Sequence, residues 1–280
     1  MKNTKPVRGQ KIEIPEQANF VEQGPQDGAP VLLVHGLAAS LHDWDLLLPE
    51  LAAAGYHGYA LDLLGHGASP KPASRAYRTK WLVKHFEAWV DSLHLTQPFA
   101  LVGHSLGGYI ALRYAMRHPN HLRSLVLVDP FYRIDQLPGF LRRTYRRPKL
   151  NAFVVERTPQ WIFNWIISLT NVALGRTGGS DLTLSEEVVR QTALDYKRTA
   201  PGAFNIPNTA PDLTLSLARI PVPTLVIWGD RDQTLAPASF TKLVDALPHA
   251  RGQVLPGGHV PHQSKPEEFN KLVLEFLREQ

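Results

Sequence analysis

A doubly wound α/β sheet is the architecture that this 280-residue sequence predicts. Three observations carry it. Four short apolar runs each end in glycine or turn chemistry, helical patterns separate them, and the length suits one α/β core with an insertion rather than two unrelated domains. The runs are "PVLLVHG" at Pro30–Gly36, "FALVGHS" at Phe99–Ser105, "SLVLVDP" at Ser124–Pro130 and "PTLVIWGDRD" at Pro223–Asp232. Continuous apolar runs of this length read as strands buried on both faces of a parallel sheet.

In chain order, "KIEI" and "NFVEQG" alternate and are bounded by proline, glycine or asparagine, which predicts an antiparallel edge pair. "TKWLVKHFEAWVDSLHL", Thr79–Leu95, sets Leu82, Phe86, Trp89, Val90 and Leu93 on one helical face. "YIALRYAMRH" continues the pattern behind the Phe99 run. Between Phe131 and about Leu217 the alternation lapses. There, Trp161, Ile162, Phe163, Trp165, Ile166, Ile167 and Leu169 cover every face of a would-be helix, so burial on both sides is expected: one side on the core, the other lining a pocket. The C-terminal "PEEFNKLVLEFLREQ" predicts a last helix with acidic residues in its first turn.

Composition bounds the function. With 44% hydrophobic and 20% charged residues the chain is globular, and a net charge of +5 favours nucleic acid only weakly. Much of that charge sits in "RRTYRRPK", Arg142–Lys149, which reads as a solvated face or as a contact for lipid or an anionic substrate. There is no cysteine, which excludes disulfides, thiolate metal sites and a cysteine nucleophile. The basic start lacks an apolar segment behind it, and no run approaches a membrane span, so a cytoplasmic protein is expected.

The chemistry concentrates in "LVGHSLGGYIALRYA", where Ser105 stands between Gly103 and Gly107. A strand passing at once into a helix forces the serine into strained dihedrals, so its neighbours must be small. That turn aims the Leu106 N–H at the reaction space of the serine oxygen. "VHGLAAS" offers a second donor, since Gly36 lets the chain fold back until the N–H of Leu37 faces the same point. Farther on, "WGDRDQTLAP" ends a strand with two carboxylates, and "LPGGHVPHQSKPEEF" puts His259 before the last helix. Serine, acid and histidine thus follow one another at strand ends.

These stretches, with "ALDLLGHGASPKP" and "LVLVDP", resemble the signature segments of the α/β-hydrolase superfamily, in particular its serine members with a helical cap. The resemblance implies a mostly parallel central sheet with helices on both faces, a core formed by residues 1–130 and 216–280, and a cap inserted at 131–215. It implies Ser105 as nucleophile, His259 as general base and acid, and Asp232 as the acid that orients the imidazole, with Asp230 or Asp129 as alternatives. Asp62, Gly65, His66 and Gly67 are expected to build the turn that supports the loop of Leu37. His104 is expected to pack and hydrogen-bond beside the nucleophile, with some part in shaping the pocket, and His262 to lie at the surface. Trp161 and Trp165 are the residues expected to line a hydrophobic substrate pocket.

The expected reaction is hydrolysis of hydrophobic medium-length acyl or aryl esters through an acyl-enzyme, without cofactor or metal. Carbon–carbon bond hydrolysis of ring-cleavage products, perhydrolysis and acyl transfer use the same serine triad and stay open. So does a small-molecule receptor that keeps the scaffold without turnover. Oligomeric state has no signature in the sequence.

Overall fold

A computed structural model describes residues 17–74, 77–145, 147, 153–154, 156–178 and 183–280. Seven strands form one sheet: β1 (Phe20–Gln23), β2 (Ala29–Val34), β3 (Tyr56–Leu61), β4 (Phe99–His104), β5 (Leu122–Val128), β6 (Thr224–Gly229) and β7 (Ala250–Leu255), in the order β1-β3-β2-β4-β5-β6-β7. Only β1 runs antiparallel, and it pairs with β3. The partner expected for it, "KIEI" at residues 11–14, lies outside the described residues. The four apolar runs are β2, β4, β5 and β6, the middle of the sheet. The flanking β3 and β7 carry weaker signals. "YHGYAL" is broken by His57 and Gly58, and "ARGQVL" is an edge strand whose Arg251, Gln253 and Val254 stay exposed.

Helices cover both faces: α1 (Leu48–Ala53), α2 (Thr79–Ser92), α3 (Leu106–Arg117), α7 (Ala238–Ala246), α8 (Pro261–Ser264) and α9 (Pro266–Arg278). Alternate strand residues feed two cores, as the two-residue period of a strand requires. Leu32, Val34, Leu101 and Leu127 pack with Phe86 and Trp89 of α2 and Ile110 of α3. Val31, Leu33, Val102 and Val128 pack with Trp44 and with Phe269, Val273 and Phe276 of α9. Each such side chain contributes roughly 1.5–3 kcal/mol on leaving water, which is what fixes the strand ends relative to one another.

Between β5 and β6 the chain leaves the sheet to form α4 (Gly139–Tyr145), α5 (Gln160–Gly178) and α6 (Glu186–Arg198), followed by 3₁₀ segments at Pro201–Thr209 and Thr214–Arg219. The Ser185 hydroxyl caps α6 by accepting from the Val188 N–H, with Glu186 and Glu187 in the first turn. The two-sided burial expected for α5 is corrected here. Phe163 is buried, packing with Ala38, Ala193 and Phe204, and Ile167 lies half-buried against them, whereas Trp161 and Trp165 are 68% and 61% exposed. The neighbouring helix α6 packs along α5, and the opposite face, with Trp161, Trp165, Leu169 and Val172, is exposed. Of the basic run, Arg142 pairs with Asp135 at 2.7 Å and Arg143 and Arg147 are exposed, while Arg146, Pro148 and Lys149 lie outside the described residues. No helix among the described residues is long and apolar enough to cross a membrane.

Candidate active site

The carboxyl ends of β2, β4 and β5 converge, and each holds a non-glycine residue with positive φ nearby: Ala38 at 60°, Ser105 at 49° and Asp129 at 40°. Strain of this kind persists only where the surroundings over-determine it. At Ser105 they do. Its N–H donates to the Val128 carbonyl at 2.9 Å, and its own carbonyl accepts from Phe131 at 3.0 Å and from Tyr109 of α3 at 3.2 Å. A Cβ on Gly103 would stand 2.6 Å from the Gly107 carbonyl oxygen, and one on Gly107 would fall on the Val34 carbonyl. The glycines therefore answer to close approach of backbone on both sides of the turn.

His259, on the loop between β7 and α8, faces this turn. Its Nε2 lies 3.0 Å from Ser105 Oγ and its Nδ1 2.8 Å from Asp232 Oδ2. Asp232 Oδ1 accepts from the N–H groups of Thr234 and Leu235 at 2.7 and 3.0 Å. Burial alone raises the Asp232 carboxyl, but His259 and these two N–H groups outweigh it and hold the pKa below the ordinary carboxylate value. The other two carboxylates accept hydrogen bonds from backbone N–H groups of the neighbouring strand ends. Asp230 accepts from the Gly257 N–H at 3.0 Å and is half exposed, and Asp129 accepts from the Gly229 N–H at 3.1 Å. Burial, then the charge of Asp232, pushes the Asp129 carboxyl well above the carboxylate range.

Leu106 is the first residue of α3, so its N–H has no acceptor within the helix. Leu37 follows Gly36, where a Cβ would come 3.3 Å from Ser105 Cβ and 2.9 Å from His104 Nδ1. The loop of Leu37 is braced from behind. Asp62 accepts from the N–H groups of Leu41 at 2.8 Å and Ala68 at 2.7 Å, and His35 Nε2 accepts from the Leu63 N–H at 2.9 Å. Burial keeps His35 and His66 neutral, His66 being lowered to about 3. These contacts agree with the supporting turn expected around Asp62, Gly65, His66 and Gly67.

A second layer carried no motif. Asp43, in the 3₁₀ turn Leu41–Trp44, accepts from the Gly36 N–H at 3.3 Å, from Gln263 Nε2 at 3.1 Å and from His104 Nδ1 at 3.2 Å. His104 Nε2 donates to the His259 carbonyl at 2.9 Å. One buried carboxylate thus ties together the loop of Leu37, the residue before Ser105 and the chain after His259. Against expectation, His262 is not at the surface: it is 2% exposed, between the rings of Trp44 and His104, and burial followed by the charge of His104 drives its pKa well down. The sequence places it three residues past His259, on the first turn of α8, which turns inward.

Two side-chain trios are compact enough to share a cation, Asp43–His104–His262 and Asp129–Asp232–His259. In both, the ring nitrogens of His104 and His259 are already engaged in hydrogen bonds with protein groups, which leaves too few free ligand atoms for a metal.

Ser105 and His259 open onto a cavity of about 550 Å³. Leu37, Leu106, Phe131, Leu137, Leu235 and Val260 form an apolar wall near Ser105, and Tyr145, Leu184, Val188 and Pro207 close it from the segment between β5 and β6. His104 lines this cavity as well. Trp161 and Trp165 do not: they sit on the outer face of α5, and the pocket is lined by α6 and the 3₁₀ turn instead. The charged lining residues are Asp43, Asp45, Glu187 and Asp195, with no Lys or Arg among the described ones. Asp195 of α6 accepts from Ser40 Oγ at 2.8 Å, and burial raises it to about 6.

A family profile described as the alpha/beta hydrolase fold matches residues 29–266. Among curated proteins, the chain is 25% identical over 256 residues to a protein named Lipase 1 from Psychrobacter immobilis, covering 86% of this chain and 74% of that one. It is 36% identical over 304 residues to a probable 1-acylglycerol-3-phosphate O-acyltransferase from Oryza sativa subsp. japonica, covering 94% and 71%. Among solved structures, a thermophilic esterase from Thermogutta terrifontis superposes with a TM-score of 0.77 at 25% identity, covering 94% of this chain and 93% of that one. With its sheet order, its strained serine at the end of β4 and a profile match spanning most of its length, the chain belongs to the alpha/beta hydrolase fold family.

Proposed function

We propose that the protein is a serine esterase acting on uncharged, hydrophobic esters, with residues 131–215 as the cap over its site. The observation that carries this reading is the Ser105–His259–Asp232 hydrogen-bonded line, at 3.0 and 2.8 Å, at the floor of an apolar cavity. His259 Nε2 accepts the Ser105 proton as Oγ attacks the ester carbonyl carbon, and the N–H groups of Leu37 and Leu106 receive the oxyanion. The alcohol leaves with the proton held by His259. Water, deprotonated by the same imidazole, then cleaves the acyl-enzyme and returns Ser105.

Charge ranks the alternatives. Ring-cleavage dienoates carry a carboxylate, and a cavity lined by Asp45, Glu187 and Asp195 repels an anion. An alcohol in place of water would make the same acyl-enzyme a transferase, which the rice relative's name suggests. Screening aryl esters of increasing acyl length beside a ring-cleavage dienone tests the reading. The highest kcat/KM is expected on an uncharged medium-length ester, and equal or faster cleavage of the dienone would overturn it. Product analysis with added alcohol separates hydrolysis from transfer.

A further inference from the structure

Thirteen large apolar side chains are exposed among the described residues, and eight of them fall between Phe140 and Val172. On α5 the exposed ones form a pattern. Trp161, Trp165, Leu169 and Val172 occur at i, i+4, i+8 and i+11, one stripe along the helix, while Phe163 and Ile167 face the protein on the other side. Phe153 and Val154, just before α5, are exposed too. A contiguous apolar surface of this kind marks an interaction site.

The sequence of this stretch is one-sided in charge. Residues 139–178 contain seven Lys and Arg and a single acidic residue, Glu156, a surplus of +6 in a chain whose net charge is +5. The remaining 240 residues are therefore close to neutral, at −1. Arg143, Arg147 and Arg157 are exposed, and the Arg157 guanidinium lies over the Phe153 ring, 5.3 Å from its centroid. Tryptophan pairs an apolar ring with a polar N–H, and arginine answers lipid phosphate, so both residue types suit the headgroup layer of a bilayer.

We infer that the outer face of α5, with the exposed Arg143, Arg147 and Arg157 that precede it, docks the protein peripherally on an anionic lipid bilayer. A second copy fits worse, since a two-fold axis through this face would bring two arginine-rich surfaces together. The orientation has a consequence for access. Tyr145, Leu184 and Val188, from the segment that carries this face, line the cavity above Ser105, so docking would bring that wall of the cavity near the membrane surface. The inference does not depend on the esterase reading, because binding can be measured without turnover.

The test is co-sedimentation with vesicles of phosphatidylcholine alone and of phosphatidylcholine with 30% phosphatidylglycerol, at 0.1 M and 0.5 M salt. The full chain is expected to bind the anionic vesicles at least tenfold more tightly than the neutral ones, and less at high salt. Trp161→Ala with Trp165→Ala, and separately Arg143→Glu with Arg157→Glu, should each cost at least tenfold in binding, with Tm unchanged since all four side chains are exposed. Quenching of tryptophan fluorescence by bromine-labelled acyl chains should fall when Trp161→Phe and Trp165→Phe are combined. Absence of binding to the anionic vesicles, or binding that survives both variant pairs, overturns the inference. So does a dimer in solution that Trp161→Ala and Trp165→Ala dissociate while vesicle binding stays nil.

Discussion

The ends of β2, β4 and β5 and the segment between β5 and β6 form opposite walls of one cavity, yet they are built by different rules. Around Ser105 the turn's backbone and both nitrogens of His259 are hydrogen-bonded, glycines are forced by backbone contacts, and three strained residues sit within one small region. Beyond the cavity's far wall, α5 packs inward through Phe163 and Ile167 and leaves a row of large apolar side chains outside. The contrast teaches that chemistry is held where the geometry is over-determined, and that selectivity and surface behaviour belong to the part that is not. Substitutions on the first wall should therefore change kcat, and those on the second KM and ester preference.

The sharpest break comes at Ser105. Ser105→Ala should lower kcat by about 10⁴- to 10⁶-fold with an unchanged fold, measured on the best aryl ester. Asp232→Asn is expected to cost on the order of 10⁴-fold, because an amide no longer fixes the His259 tautomer. The Asp43 hub tests whether the first wall extends beyond the residues that touch substrate. Asp43→Asn and His104→Gln should each lower kcat by roughly 10- to 100-fold with little change in KM, through misplacement of His259. In the double variant the two losses should not add, since both act through the one Asp43–His104 hydrogen bond. Across the cavity, Val188→Trp should shorten the preferred acyl chain and raise KM for longer ones about tenfold while leaving kcat on acetate esters within threefold.

The smallest effect is on stability against pH. His35, His66, His85 and His262 are held neutral by burial, so their folded pKa values lie below the ordinary 6.5. The unfolded chain then binds more protons than the native one below about pH 6.5, and their contribution, present above that value, is lost as pH falls. Asp129 and Asp195, raised instead, oppose this because the folded state holds their protons more tightly, while Asp43, Asp62 and Asp232, held below the ordinary carboxylate value, add to the loss as pH falls. Thermal scans should show Tm declining from pH 7 to pH 4.5. A rise over that interval would contradict the burial assigned to these histidines.

The same division explains what the sequence could disclose. Strands β2, β4, β5 and β6 are legible because both of their faces are buried, which leaves an uninterrupted apolar run, and Ser105, Asp232 and His259 are legible because each follows or neighbours a strand end in a recognisable stretch. Asp43 and Asp195 are not, for their roles arise from partners far along the chain: Asp43 meets His104 and Gln263, and Asp195 meets Ser40 across 155 residues. His262 misleads because its polarity suggests solvent, whereas the turn of α8 drives it between two rings. Trp161 and Trp165 mislead because helix periodicity reports which residues are apolar but not how many neighbours a helix has. An apolar helix covered on one side reads the same as one covered on two.

The central claim is that Ser105 carries the acyl group. Rapid quenching of a p-nitrophenyl butyrate reaction followed by peptide mass analysis tests it most directly. A butyryl adduct on the peptide containing Ser105, formed as fast as the first p-nitrophenol is released and absent from Ser105→Ala, is the predicted result. Continued turnover by Ser105→Ala within tenfold of the unmodified chain, or an adduct on another residue, would contradict it.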